Sequence, residues 1–256
     1  MLLAIDVSNT NTVVGVFSGE KLLEFFRIAS NEKLTCDECG ILTQRLLESI
    51  DIPPGGIDGV CLSSVVPSLT QAYEEMSRKF FSVEPLTVST SLDLGIKIVY
   101  DNPEQVGADR LADAVAAHQL YGGPVIVVDF GTATTFDYIS GSGEYVGGAI
   151  APGVETSSAD LFKRAAQLFK VRLEPPGKVV GRNTTDSLKS GIIYGTVGQV
   201  EGIINRMKRE LGADNVKVIA TGGFSPLVAK LTSIIEEVNL TLTLEGLRII
   251  HARANR

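Results

Sequence analysis

One pattern occurs twice in this chain, and it constrains the fold more than any other feature. LLAIDV at residues 2–7 and TVVGVF at 12–17 read as two strands around a short polar loop, Asp6-Val7-Ser8-Asn9-Thr10-Asn11-Thr12. The stretch PVIVVDFGTATTFDYI at 124–139 repeats the plan, with the loop Asp129-Phe130-Gly131-Thr132-Ala133-Thr134-Thr135. The two aspartates lie almost half the chain apart. A repeat at that spacing predicts a duplicated α/β unit, two similar domains facing each other. The boundary is placed in the Gly122-Gly123-Pro124 turn, giving domains at 1–122 and 123–256.

Between the hairpins the periodicity alternates. A strand is predicted at 22–28, a helix at 37–50, a strand at 59–66 ended by Pro67, a helix at 68–80 and a strand at 85–89. The segment 107–120 carries Leu111, Val115 and Leu120 on one helical face. In the second half, helices are predicted at 156–170, within 184–210 and at 226–237. VKVIATGGF at 216–224 reads as a strand running into a glycine turn, and 242–253 as a terminal strand or helix.

Composition narrows the partners. Of 256 residues, 30 are acidic and 23 basic, for a net charge of −7. No basic cluster stands out, which argues against a phosphate-backbone partner such as nucleic acid. No run approaches the ~20 apolar residues of a membrane helix. The start, MLLAIDVSNT, lacks the longer apolar core of a secretion signal, so no membrane association and a cytoplasmic location are expected. Cys36 and Cys39 form a CxxC, but the chain adds only Cys61, His118 and His251 as further soft ligands. Two thiols near a helix start are favoured over a metal or redox centre.

The loops carry the chemistry. A strand ending in Asp, followed by small polar residues, makes a tight turn whose backbone N–H groups wrap phosphate oxygens. The aspartate itself repels phosphate, and its useful work is to hold Mg²⁺, usually through water. The second loop adds a glycine for close approach and three threonine hydroxyls. Thr221-Gly222-Gly223, after a buried strand, leaves room for a flat ligand such as adenine. Each loop alone is compatible with an ordinary turn; the three in this order are more specific. Asp109 lies near a helix N-terminus, where a cap is its plain role. The same position keeps the carboxylate ionised, so it can accept a proton from a hydroxyl. Arg110 next to it suits a two-pronged bond to a carboxylate.

Two Asp hairpins with a late glycine pair resemble the acetate kinase, sugar kinase, Hsp70 and actin superfamily. Four segments resemble the type III pantothenate kinases more closely: Asp6–Val13 (DVSNTNTV), Asn102–Ala117 (NPEQVGADRLADAVAA), Val127–Thr135 (VVDFGTATT) and Gly147–Gly153 (GGAIAPG). Gly181-Arg182-Asn183-Thr184 and Thr221-Gly222-Gly223 also fit, so the resemblance runs from end to end. Two positions depart from it: Ser8 replaces a glycine and Asp113 an asparagine.

The resemblance implies duplicated ribonuclease H-like domains of the actin type, with mixed sheets flanked by helices and a nucleotide and substrate cleft between them. It implies phosphorylation of pantothenate by ATP, the first step towards coenzyme A. Asp6, Val7, Ser8, Asn9, Thr10, Asn11, Thr12, Val13 and Thr132 would hold ATP, with Asp6 organising Mg²⁺ through water. Asp129 would bind a monovalent cation, potassium or ammonium. Tyr100, Gly107, Ala108, Asp109, Arg110 and Thr184 would contact pantothenate, with Asp109 as catalytic base. A homodimer is implied, with Thr184 reaching the substrate across its interface. Two other readings remain at this point: a kinase for another small hydroxy acid or sugar, and a non-catalytic ATP-sensing regulator of the same fold.

Overall fold

The structure, a computed structural model, describes residues 1–164, 169–213 and 215–255. They form two compact units. Unit 1 comprises Met1–Tyr121, Gly143–Tyr145 and the segment from Thr241; unit 2 comprises Gly122–Ser142 and Val146–Leu240. The C-terminal segment thus packs with the first half of the chain.

In unit 1, β1 (Leu2–Val7) lies at the centre of a mixed sheet with β2 (Asn11–Ser18), β3 (Lys21–Ala29), β4 (Gly59–Ser64) and β5 (Leu86–Thr87), in the order β3-β2-β1-β4-β5. β1 runs antiparallel to β2 and parallel to β4. All six residues of β1 are buried, because helices cover both faces of the strand, and this explains its unbroken apolar run. Leu3, Ile5 and Val7 pack into a core with Leu47 of α1 (Cys36–Glu48) and Leu69, Tyr73 and Met76 of α2 (Pro67–Met76). On the other face β1 meets α7 (Leu242–Ala254), which also packs on α3 (Ala108–Tyr121). Alternation along the strand puts Asp6 on this second face, opposite Ile5 and Val7.

Local chemistry sets the helix starts. Thr35 and Glu38 cap α1 reciprocally, each side chain bonding the other's backbone N–H. Pro67 opens α2, where its missing N–H costs nothing. A short β6 (Lys97–Ile98) pairs in parallel with Glu144 and Tyr145.

Unit 2 repeats the topology. Its strands are β7 (Val125–Phe130), β8 (Ala133–Ile139), β9 (Glu144–Pro152, whose first two residues belong to unit 1), β10 (Lys217–Gly222) and β11 (Glu237–Val238). Their order, β9-β8-β7-β10-β11, matches that of β3-β2-β1-β4-β5, with β7 in the place of β1. The core joins Ile126, Val128, Val218 and Ala220 to Val197, Val200 and Ile204 of α5 (Thr184–Leu211). Asn183 caps α5, and Gly212, in left-handed conformation, ends it. α4 (Val154–Arg164) and α6 (Ser225–Ala229) complete the unit.

Two sequence expectations change, and one strand, β9, was not foreseen. The helix predicted at 226–237 stops at Ala229, because Thr232 turns the chain, bonding Glu201 and the Ile234 N–H, and Glu237–Val238 then pairs with β10. β9 escapes the pattern because its Gly147 and Gly148 have little strand propensity. The helix predicted at 156–170 begins two residues earlier and is described to Arg164; residues 165–168 lie outside the description.

Candidate active site

Asp6 sits one residue before the end of β1, level with Val13 of β2 and Ser63 of β4. It is only 8% exposed. Its Oδ2 accepts a bond from Ser8 Oγ at 3.4 Å, and its buried Oδ1 has no hydrogen-bond partner among the described residues. Burial first, and the negative charge of Asp109 second, push the Asp6 carboxyl up to about 7; Ser63, Ser8 and Arg27 pull it back. The Ser63 hydroxyl favours the ionised form from nearby, although Ser63 Oγ has no partner in hydrogen-bond geometry among the described residues. Two carboxylates within electrostatic reach, one with an orphaned buried oxygen, make a site that gains from a cation.

The loop after Asp6 is tied from behind. Ser8 N–H donates to Asn11 O at 3.1 Å, and Ser30 N–H, just past β3, donates to Thr10 O at 3.0 Å. Ser30 Oγ donates to Ser8 O at 2.6 Å, and Thr12 Oγ1 lies 2.9 Å from Ser30 Oγ. Asn9 and Thr10 form the exposed tip, while Val7 and Thr12 are buried. The backbone at Ser8 lies outside the left-handed region, so a serine takes the glycine position of the resembling family without strain.

Asp109 stands in the first turn of α3, half-buried, with Oδ1 accepting the Arg110 N–H at 2.8 Å. A side chain on Gly107 would put its Cβ 2.5 Å from that oxygen, so the Gly-Ala-Asp sequence is what lets the carboxylate fold back over the helix start. Arg110 is buried, its guanidinium 5.9 Å from the ring centroid of the fully buried Tyr145. Tyr100 lies 6.1 Å from Tyr145, tilted by 56°. Arg110 is therefore held against an aromatic face instead of swinging in solvent. One turn on, Asp113 is buried and accepts the Thr243 hydroxyl of α7 at 2.7 Å. This bond pins α3 to α7, and the amide oxygen of an asparagine at 113 would accept it as well.

In unit 2, Asp129 is level with Thr135 of β8 and Thr221 of β10. A Cβ on Gly222, whose φ is +83°, would fall 2.5 Å from Asp129 Oδ1, and one on Gly131 3.3 Å from Oδ2. The carboxylate is thus flanked by backbone on both sides. Thr132 is exposed at the tip of its hairpin, and its carbonyl accepts the Thr156 hydroxyl at 2.8 Å and the Gly153 N–H at 3.2 Å. Thr184 is the exposed first residue of α5.

Asp6, Ser8, Tyr100, Gly107, Ala108, Asp109 and Arg110 therefore belong to one unit, and Asp129, Thr132 and Thr184 to the other. Ser30, Ser63, Tyr145 and Thr243 went unnoticed in the sequence. Ser63 had a faint signal, since β4 ends in polar residues after an apolar run as β1 does; the other three had none. Cys36 is half-buried at the start of α1 and Cys39 buried beneath it, its thiol pushed up to about 11 by burial. Among the described residues no cluster of three or more His, Cys, Asp or Glu is arranged to hold a metal. None of the described helices is long and apolar enough to cross a membrane.

Two mixed sheets of one strand order, each with an aspartate near the end of its first strand, place the chain in the acetate and sugar kinase, Hsp70 and actin fold class. The solved polyphosphate/ATP-glucomannokinase of Arthrobacter sp. strain KM is similar in fold, with a TM-score of 0.51 at 14% identity over 98% of each chain. The sequence profile of the type III pantothenate kinases matches residues 2–206. Type III pantothenate kinases of Myxococcus xanthus and Moorella thermoacetica are each 49% identical over 253 residues, 99% of this chain and 98% and 99% of theirs. The chain belongs to the type III pantothenate kinase family.

Proposed function

We propose that this protein transfers the γ-phosphate of ATP to the primary hydroxyl of pantothenate, giving ADP and 4′-phosphopantothenate on the way to coenzyme A. The observation that carries the proposal is the pairing of buried Asp6 with Asp109 at the start of α3, next to an arginine locked on an aromatic ring.

In this reading Asp109 takes the proton of the attacking hydroxyl. A positioned base contributes about 10²–10⁴-fold, and most of the remaining acceleration in phosphoryl transfer comes from placement and charge neutralisation. Arg110 binds the pantothenate carboxylate, with Gly107 and Ala108 lining the acceptor and Tyr100 covering it. The loop from Asp6 to Val13, with Ser8, Asn9, Thr10 and Asn11 at its tip, holds the ATP phosphates, and Thr132 adds a hydroxyl. The orphaned Oδ1 of Asp6 fits the oxygen-rich shell of a Mg²⁺ ion held through water. Bound there, Mg²⁺ supplies positive charge for the phosphate oxygens. Asp129 is assigned to potassium or ammonium, and Thr184 to a substrate contact made across a homodimer. The location is cytoplasmic.

The test is ADP release with and without pantothenate, in Mg²⁺ and K⁺ buffer, beside a panel of sugars and other hydroxy acids. Pantothenate-dependent release is expected. Release with a sugar alone, or ATP binding with no acceptor-dependent release, would replace this reading.

A further inference from the structure

A loop that cradles phosphate must show its N–H groups to the anion and turn its carbonyls elsewhere, since a carbonyl oxygen aimed at phosphate repels it. In the loop after β1, three carbonyls are occupied. Asn11 O accepts Ser8 N–H, closing the hairpin. The other two, Thr10 O and Ser8 O, are both taken by one residue, Ser30, through its N–H at 3.0 Å and its hydroxyl at 2.6 Å.

Peptide units are planar and trans, so each N–H points opposite to the carbonyl that precedes it. Drawing Ser8 O and Thr10 O towards Ser30 therefore turns the N–H groups of Asn9 and Asn11 away from Ser30. The Ser30 hydroxyl has one proton, and it is committed to Ser8 O. Thr12, buried behind the loop, must then donate to Ser30 Oγ, which polarises the Ser30 hydroxyl and strengthens its bond to the loop.

We propose that Ser30 is a positioning residue for nucleotide binding, fixing the loop so that its backbone N–H groups meet the ATP phosphates. Ser30 touches the loop from behind and has no part in acceptor binding. This inference rests on the kinase reading above for the identity of the ligand.

The test uses the full chain as wild type, Ser30→Ala and Ser30→Thr, which keeps the hydroxyl. Titration calorimetry with Mg·ATP, without acceptor, measures the nucleotide alone; steady-state kinetics then give the two KM values, and urea unfolding gives stability. Losing one hydrogen bond of this kind corresponds to roughly tenfold. Ser30→Ala should weaken ATP binding and raise its KM by about that factor, leaving the pantothenate KM near wild type and lowering the urea midpoint by no more than one lost hydrogen bond does. Ser30→Thr should restore ATP binding. Wild-type ATP affinity in Ser30→Ala, or both KM values rising together with a lower urea midpoint, would overturn the inference. A wild-type chain that binds ATP without pantothenate-dependent ADP release defeats the kinase reading alone, and the calorimetry still decides the role of Ser30.

Discussion

Asp6 and Asp109 each constrain how the other can behave. A buried carboxyl with a negative neighbour resists ionisation, and Asp6 is pushed up to about 7 for those two reasons. The folded chain therefore binds a proton at Asp6 that the unfolded chain has released above its ordinary value of 3.8. Native protein holds more protons than unfolded protein between pH 4 and 7, so stability from this group is present below about pH 4 and is lost as pH rises to about 7. A shift of this size is worth about 4 kcal/mol at most. Without divalent cation, Asp6→Asn should be more stable than wild type at pH 8 and close to it at pH 4, by urea unfolding. Equal midpoints at pH 8 would remove the claim of unfavourable burial. Asp109→Asn is expected to keep Mg·ATP binding and lose turnover by about 10²-fold or more. Normal turnover in that variant would take the base away from Asp109.

At the scale of elements, the contact between α3 and α7 holds the helix that carries Asp109 and Arg110. Asp113 and Thr243 bond across it. Gly246 lets the helices touch backbone to backbone, for a Cβ there would overlap the carbonyl of Ala112. Because α3 carries both Asp109 and Arg110, displacement of α7 moves the chemistry. Gly246→Val should cost about 2 kcal/mol or more through overpacking, read as a lower urea midpoint, with a fall in kcat. An unchanged midpoint would mean that the helices can part without strain. Much at this scale was legible beforehand: the apolar runs of β1 and β7, the helical spacing of α1, and the helix of α3. The 226–237 stretch was not, because its helical spacing is overruled by the Thr232 turn and by the pairing of Glu237–Val238 with β10.

The whole molecule uses one topology twice with different chemistry at the equivalent place. In unit 1 the first-strand aspartate is buried beside a second carboxylate; in unit 2 Asp129 is half-buried between two glycines. The proposed function gives the two aspartates different cations. Substituting Na⁺ for K⁺ should lower pantothenate-dependent ADP release several-fold, and Asp129→Ala should abolish the difference between the two salts. Indifference of the wild type to the swap would argue against a monovalent cation at Asp129.

The sequence alone determined the duplication, the two aspartate loops, the Gly-Ala-Asp-Arg helix start and, through them, the family, because each is a local pattern of spacing or residue type. Only the tertiary structure decided which distant groups meet. It set Ser30 behind the loop after β1, Tyr145 under Arg110, Thr243 on Asp113, and Asp109 close enough to Asp6 to raise its pKa. Such pairs have no signature along the chain. Their contact depends on strand order and helix packing, which emerge only when the sheet closes and its faces are covered.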